Sequence, residues 1–270
     1  MVGLGILTFF IALAIASPLL VSPEDLDPAL ADLPPHMPPS TQAWLGTDNF
    51  GRSVLDLLIA GTRVSLVVGV TAAIGAMVIG AFVGISAGYF GGTKVDTVMN
   101  AVTNWFLVIP WLALAIALAS VLGASLTNVI VVIAITSWAA TARLVRAQAL
   151  TVKERSFIER SRALGGTNWH VITRHVLPNV FPVLFANTIL MVALAILSET
   201  TLAFLGLGDP SRASWGKMLQ EGFEAGALTL QAWWYYVPPG LGIMLVVLAF
   251  TLVGQALEEV LDPRLRDQRA

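Results

Sequence analysis

Glu159-Arg160-Ser161-Arg162-Ala163-Leu164-Gly165, followed after nine residues by His175-Val176-Leu177-Pro178, is a charged interruption in a strongly apolar chain. Apolar runs flank it, Ala124–Ala142 before and Val180–Leu205 after. About 20 apolar residues suffice to cross the hydrocarbon core of a bilayer, so the interruption reads as a loop between two membrane spans. A short charged helix, a glycine break and a Leu-Pro return make a compact knob outside the bilayer. An ordinary basic loop is the plainer alternative, because glycine and Leu-Pro are common where spans begin and end.

Similar runs recur as Gly3–Leu20, Val64–Tyr89, Val98–Leu122 and Val237–Leu257. Hydrophobic residues make up 56% of the chain and charged residues 12%, a balance far from that of soluble domains. The expected fold is an all-α polytopic membrane protein with about six transmembrane helices, one domain over residues 1–270. Its expected connections are loops 21–60 and 206–236 on one side, and the loop 151–178 and tail 258–270 on the other. The chain has no cysteine, which removes disulfides, thiolate metal ligands and thiol nucleophiles.

Charge orients the chain. With the N-terminus in the cytoplasm, Lys94, Arg143, Arg146, Lys153, Arg155, Arg160, Arg162, Arg174, Arg264, Arg266 and Arg269 fall inside. Arg52, Arg63, Arg212 and Lys217 fall outside, Arg63 at a span edge. This is the positive-inside pattern, and it places both termini and the charged knob in the cytoplasm. Ala14-Ile15-Ala16 before Ser17 resembles a secretory cleavage site, but no basic side chain precedes it and the run is long for a leader. The segment is expected to remain as a span, and a natural start upstream of Met1 is left open.

Loop 21–60 is proline-rich, so extended and turn structure is expected there rather than an independent domain. It ends in Trp44-Leu45-Gly46-Thr47-Asp48-Asn49-Phe50-Gly51-Arg52-Ser53-Val54. Asp48 and Asn49 suit a cap or a turn, and Gly46 and Gly51 permit positive φ. In the second run Ala72, Ala76, Gly80, Gly84 and Gly88 form a row of small residues at four-residue spacing. Such rows let helix backbones touch, and packing is preferred here over pore lining. In the fifth run Asn187, Thr188, Met191, Ala195, Ser198 and Glu199 share one face. Polar groups are expensive in hydrocarbon, so this face is a candidate translocation path or faces a partner subunit, or else its groups are satisfied inside the bundle. Glu199 is expected near the outer end, where water reduces its cost.

On the knob, Phe157, Ser161 and Leu164 fall on one helical face, while Glu159 and Arg162 point elsewhere. Gly165-Gly166 can end that helix in a left-handed cap. Thr167 or Asn168 can start a second turn before Pro178 opens the fifth span.

The spacing resembles the coupling-helix signature of ABC-importer membrane subunits: Glu-Ala-Ala, three residues, Gly, nine residues, Ile-x-Leu-Pro. Glu159, Gly165, Leu177 and Pro178 keep the register, Arg160 and Ser161 replace alanines, and His175 replaces isoleucine. The Trp44–Val54 run, the Glu199–Gly222 run and the tail Leu261-Asp262-Pro263-Arg264-Leu265-Arg266 are similar to the C-type permease subunit of dipeptide/oligopeptide ABC importers. The resemblance implies a heterodimer with a related B-type permease, two cytoplasmic ATPases and an extracytoplasmic substrate-binding protein. It implies a bacterial or archaeal cytoplasmic membrane, with ATP and Mg held by the ATPases. Phe157, Glu159, Ser161, Leu164, Gly165, Leu177 and Pro178 would then couple to the ATPase, with Arg160 either clashing mildly or pairing with an acidic partner. Di- or oligopeptides are the implied cargo, with nickel chelates or other small solutes as the alternative.

No Gly-x-x-x-x-Gly-Lys-Ser/Thr loop occurs, so an ATP-driven engine would lie on another polypeptide. His36, His170 and His175 all fall outside the spans and lack metal-site spacing. No catalytic residue, bound cofactor, metal or nucleic-acid partner is expected. A secondary transporter is the rival of a different class, distinguished by whether transport survives without an ATPase.

Overall fold

A computed structural model describes residues 1–261 of the chain. Among these residues the structure is helical, without a strand, and holds one isolated bridge between Thr47 and Ser53. Five helices are long and apolar enough to cross a membrane, and a bent pair brings the number up to six. The all-α polytopic architecture read from the apolar runs is the one observed.

Helix α1 covers Val2–Leu20 and α2 covers Val54–Tyr89. At its 36 residues, α2 rises about 54 Å, well beyond a hydrocarbon core of about 30 Å. It begins ahead of the apolar run at Val64, so the last part of the expected 21–60 loop is helix. The expected third span is not one helix. α3 (Lys94–Val108) and α4 (Trp111–Leu122) meet at a 91° bend. Pro110 lacks an N–H and clashes with a helical predecessor, and Ile109 is accordingly extended at ψ 127°.

Helix α5 runs Leu126–Lys153. The loop after it contains α6 (Ser156–Ala163), α7 (Asn168–Val171) and a wide π turn over Ile172–Val176, which leads into α8 (Leu177–Phe204). The expected loop 206–236 contains α9 (Trp215–Glu224) and the start of α10 (Trp233–Leu261). Of the expected tail 258–270, the stretch beyond Leu261, with Arg264, Arg266 and Arg269, lies outside the described residues.

Two compact units make up the chain. The first comprises Met1–Thr71, Leu118–Ile130 and Val192–Val253. Trp215 is fully buried within it, donating its indole N–H to the Leu58 carbonyl at 3.0 Å. Space for the ring exists because Gly61 has no side chain: a Cβ there would lie 2.9 Å from Trp215 Cδ1. Above it the proline-rich loop folds into a tight turn. Gly46 and Gly51 take φ of 70° and 89°, and Asp48 accepts the N–H groups of Phe50 and Arg52 at 2.8 Å each.

A clasp ties this turn to distant helices. Arg52 reaches Asp48 at 2.6 Å and Glu221 of α9 at 2.8 Å. Tyr235 donates its hydroxyl to Asn49 at 2.9 Å, and Trp234 its indole N–H to the Thr47 carbonyl at 3.2 Å. Burial works against the charge of Arg52, and Asp48 and Glu221 outweigh it, so its proton is held more tightly than in an ordinary arginine.

The second unit comprises Ala72–Ala117, Val131–Met191 and the chain from Gly254. Here the small-residue row of α2 lies against α5. Ala72 and Ala76 are buried. A Cβ on Gly80 would come within 2.7 Å of Thr141 Cβ, on Gly84 within 2.6 Å of the Ala142 carbonyl, and on Gly88 within 2.6 Å of Ala149 Cβ. Backbone and small side chains therefore touch along about two turns of helix, as such rows permit. Arg146 of α5 grips Asp96 of α3 through two hydrogen bonds of 2.7 and 2.9 Å, a bidentate pair of the strong kind.

Candidate functional site

The second unit builds the cytoplasm-directed knob of the sequence reading from four short pieces. Helix α6 anchors through Ile158, which is fully buried with Val171, Val176, Val180, Val145, Ile85 and Tyr89, and Phe157 packs half-buried against this cluster. Gly165 then takes φ 86°, the left-handed conformation that ends a helix and that glycine adopts without penalty. Gly166 turns the chain back so closely that a Cβ would sit 2.7 Å from the Ser161 carbonyl. Thr167 caps α7, its side chain accepting the His170 N–H. Pro178 and Pro182 each remove a backbone donor from the start of α8, and the turn just ahead of them is the widened one.

A concave groove of about 670 Å³ results, lined by Phe157, Arg160, Ser161, Leu164, Gly165, Gly166, Thr167, His170 and His175. Leu164 is 89% exposed at its edge, whereas Glu159, Leu177 and Pro178 are exposed outside it. The aromatic ring of Phe157 lies 5.9 Å from that of His175, and His175 lies 5.7 Å from His170. An exposed leucine beside a half-buried phenylalanine, rimmed by basic and imidazole groups, suits docking of a complementary protein surface. Among the described residues no group of three or more His, Asp or Glu residues could hold a metal ion.

Tyr89 was not singled out from sequence, and it joins the knob to the small-residue helix. Its hydroxyl donates to Asn168 Oδ1 at 2.7 Å, and the Arg162 guanidinium lies 5.1 Å over its ring. The signal was available: Tyr89 closes the apolar run one residue after the last glycine of the row.

The polar face of α8 turns mostly inward within the chain, and its groups find the internal partners that the sequence reading held as the alternative to a path. Thr188 is buried and returns its hydroxyl to the Leu184 carbonyl at 2.7 Å. Met191 and Ala195 are buried as well. Glu199 is 4% exposed, with Ser65 Oγ at 3.4 Å and the Ser214 hydroxyl beside it. Its cost is met by hydroxyl partners rather than by water at the outer end. Only partial exposure remains for Asn187, whose amide donates to Thr141 at 3.2 Å, and for Ser198, bonded to the Leu194 carbonyl at 2.8 Å. Buried polar groups in a membrane protein must find internal partners, and these do. The exposed face of α8 is instead apolar, with Phe181, Phe185, Leu194 and Leu197.

A family model described as "Binding-protein-dependent transport system inner membrane component" matches residues 76–267. The chain is 37% identical to the dipeptide transport system permease protein DppC of Alkalihalophilus pseudofirmus, over 98% of this chain and 86% of that protein. It is 35% identical to the protein of the same name from Bacillus subtilis, over 98% and 82% of the two chains. With the probable D,D-dipeptide transport system permease protein DdpC of Escherichia coli it shares 36% identity over 88% and 79%. Among solved structures, the MetNI methionine ABC transporter in inward-facing conformations matches with a TM-score of 0.57 at 22% identity, covering 76% of this chain and 97% of that one. That last likeness is one of fold. The chain belongs to the family of binding-protein-dependent transport system inner membrane components, as a permease subunit of an ABC importer.

Proposed function

We propose that this permease forms half of the translocation path of an ATP-driven importer of di- or oligopeptides. Its partners are a related B-type permease, two cytoplasmic ATPases that hold ATP and Mg, and an extracytoplasmic substrate-binding protein. The cargo reading is supported by the names of relatives that align over nearly the whole chain. Both termini and the 151–178 loop face the cytoplasm of a bacterial or archaeal cell, in line with the excess of basic residues there.

One observation carries the coupling role. Leu164 is exposed at a glycine-terminated helix that Ile158 anchors to the unit's own core. An ATPase surface that seats Phe157, Ser161 and Leu164 would move α6 as a lever, since a buried anchor transmits displacement rather than absorbing it. Arg160 at the rim and Glu159 just outside it fix orientation, while Gly165, Leu177 and Pro178 set the return of the chain. Asn187 and Ser198 are the α8 groups that reach the path, with Thr188, Met191 and Glu199 supporting them from beneath.

Reconstituted liposomes test this with Phe157→Ala and Leu164→Ala combined. Losing two apolar anchors costs about 2 kcal/mol or more, so uptake should fall by more than about tenfold. ATP hydrolysis and membrane insertion should persist. Normal uptake by the double variant would overturn the coupling assignment.

A further inference from the structure

A second cavity, of about 790 Å³, opens within the first unit, far in sequence from the coupling loop. One wall is apolar and comes from two membrane helices: Pro18 with Val21 at the end of α1, and Val64 with Val67 on α2. The rim is cationic, with Arg52, Arg63, Arg212 and Lys217 set against the two carboxylates Asp27 and Glu221.

These cations are not equivalent. Arg52 is saturated by Asp48 and Glu221, and Lys217 shares Glu221 at 3.6 Å. Arg212 touches Asp209 only at 4.0 Å, and its side chain is 59% exposed. Arg63 is exposed and has no ion-pair partner among the described residues. Two guanidiniums therefore stand at the cavity with most of their hydrogen-bonding capacity unused.

Position supplies the second argument. Arg63 immediately precedes the apolar run that starts at Val64, which sets it at the boundary between water and hydrocarbon. Helix α1 is peripheral: only 17% of its apolar window is buried, with Ile15 and Leu19 largely exposed. The cavity thus straddles the boundary on the outer side, apolar where the hydrocarbon begins and cationic where it ends. Its volume lies within the usual range for small-molecule sites, about 300–1,000 Å³.

We propose that this cavity binds an anionic phospholipid. The phosphodiester pairs with Arg63 and Arg212, and the upper part of one acyl chain lies along Pro18, Val21, Val64 and Val67. A soluble anion would leave the apolar wall wet. A zwitterionic lipid would return its own cation to a rim already rich in positive charge. Guanidinium forks match phosphate oxygens in geometry as well as charge.

The test is native mass spectrometry of the permease in its intact complex, purified in detergent and exposed to phosphatidylglycerol or phosphatidylcholine. The unaltered complex should retain phosphatidylglycerol in preference. Each basic side chain lost at a membrane surface weakens binding about fivefold, so Arg63→Gln with Arg212→Gln should reduce retention by about 25-fold. Both side chains are exposed, so the fold should survive. Val67→Trp, which fills the apolar wall, should also displace the lipid while leaving the melting temperature in place. Equal retention of the two lipids, or retention unaffected by either variant, would overturn the proposal. So would displacement by millimolar inorganic phosphate, which would mark a site for soluble anions. Efficient crosslinking of Val67→Cys to another subunit would likewise overturn it, because protein would then fill the cavity.

Discussion

Arg52 is almost wholly withdrawn from solvent and holds two carboxylates, Asp48 being fully buried beside it. Arg52→Ala should therefore destabilise the permease by about 3–5 kcal/mol, the usual consequence of stranding a buried charge. Lys217→Ala removes a longer contact to the same Glu221 and should cost less than about 1 kcal/mol. Thermal unfolding in detergent checks both, and equal small shifts would contradict the clasp. Half of the clasp was legible in sequence. Asp48, Gly46 and Gly51 belong to turn chemistry, which is local and carried by residue type. The pairing of Arg52 with Glu221 spans 169 positions, and nothing in residue type specifies a partner at that distance. Glu199 is a similar case: its place near the end of a span was readable, but its enclosure by Ser65 and Ser214 was not.

Helix packing was legible where composition and period agree. The small-residue row of α2 points to close backbone contact, and α5 supplies it at Gly80, Gly84 and Gly88. Gly84→Leu should lower the melting temperature of the solubilised protein, since overpacking costs about 1–3 kcal/mol and the opposing atom is a backbone carbonyl that cannot rotate away. Gly5→Leu in α1, where a Cβ would meet nothing within 4 Å, should leave it unchanged. An unchanged melting temperature for Gly84→Leu would place the row on the lipid face. The surroundings of the α8 stripe were left open by the sequence for a different reason. Periodicity identifies which residues share a face, not what the face turns toward, and Thr141, the partner of Asn187, lies 46 positions away. The break at Pro110 was hidden by the apolar run around it. Cysteine labelling separates the sides of α8, and the natural chain contributes no background because it has no cysteine. Asn187→Cys and Ser198→Cys should react with water-soluble thiol reagents, at rates that differ between nucleotide-free and ATP-trapped complexes. Met191→Cys and Ile196→Cys should stay protected by burial. Equal reactivity at all four positions would contradict the packing, and silence at Asn187 and Ser198 in both states would remove them from the path.

Five helices long and apolar enough to cross a membrane, up to six with the bent pair, suit a permease subunit, and no nucleotide loop occurs in the sequence. The proposed coupling rests on few features: the glycine-ended α6, the exposed Leu164 and the buried Ile158 beneath it. A secondary transporter would move cargo on an ion gradient alone. A coupled permease, as proposed here, moves it only when a partner hydrolyses ATP. Proteoliposomes containing the complete complex, with ATP on the cytoplasmic side and labelled dipeptide presented on the other with its binding protein, measure the difference. Accumulation against a gradient should occur with ATP and stop when ATP is withheld or the ATPase is inactivated. Uptake that continues unchanged without ATP, and collapses instead when the proton or sodium gradient is dissipated, would contradict it.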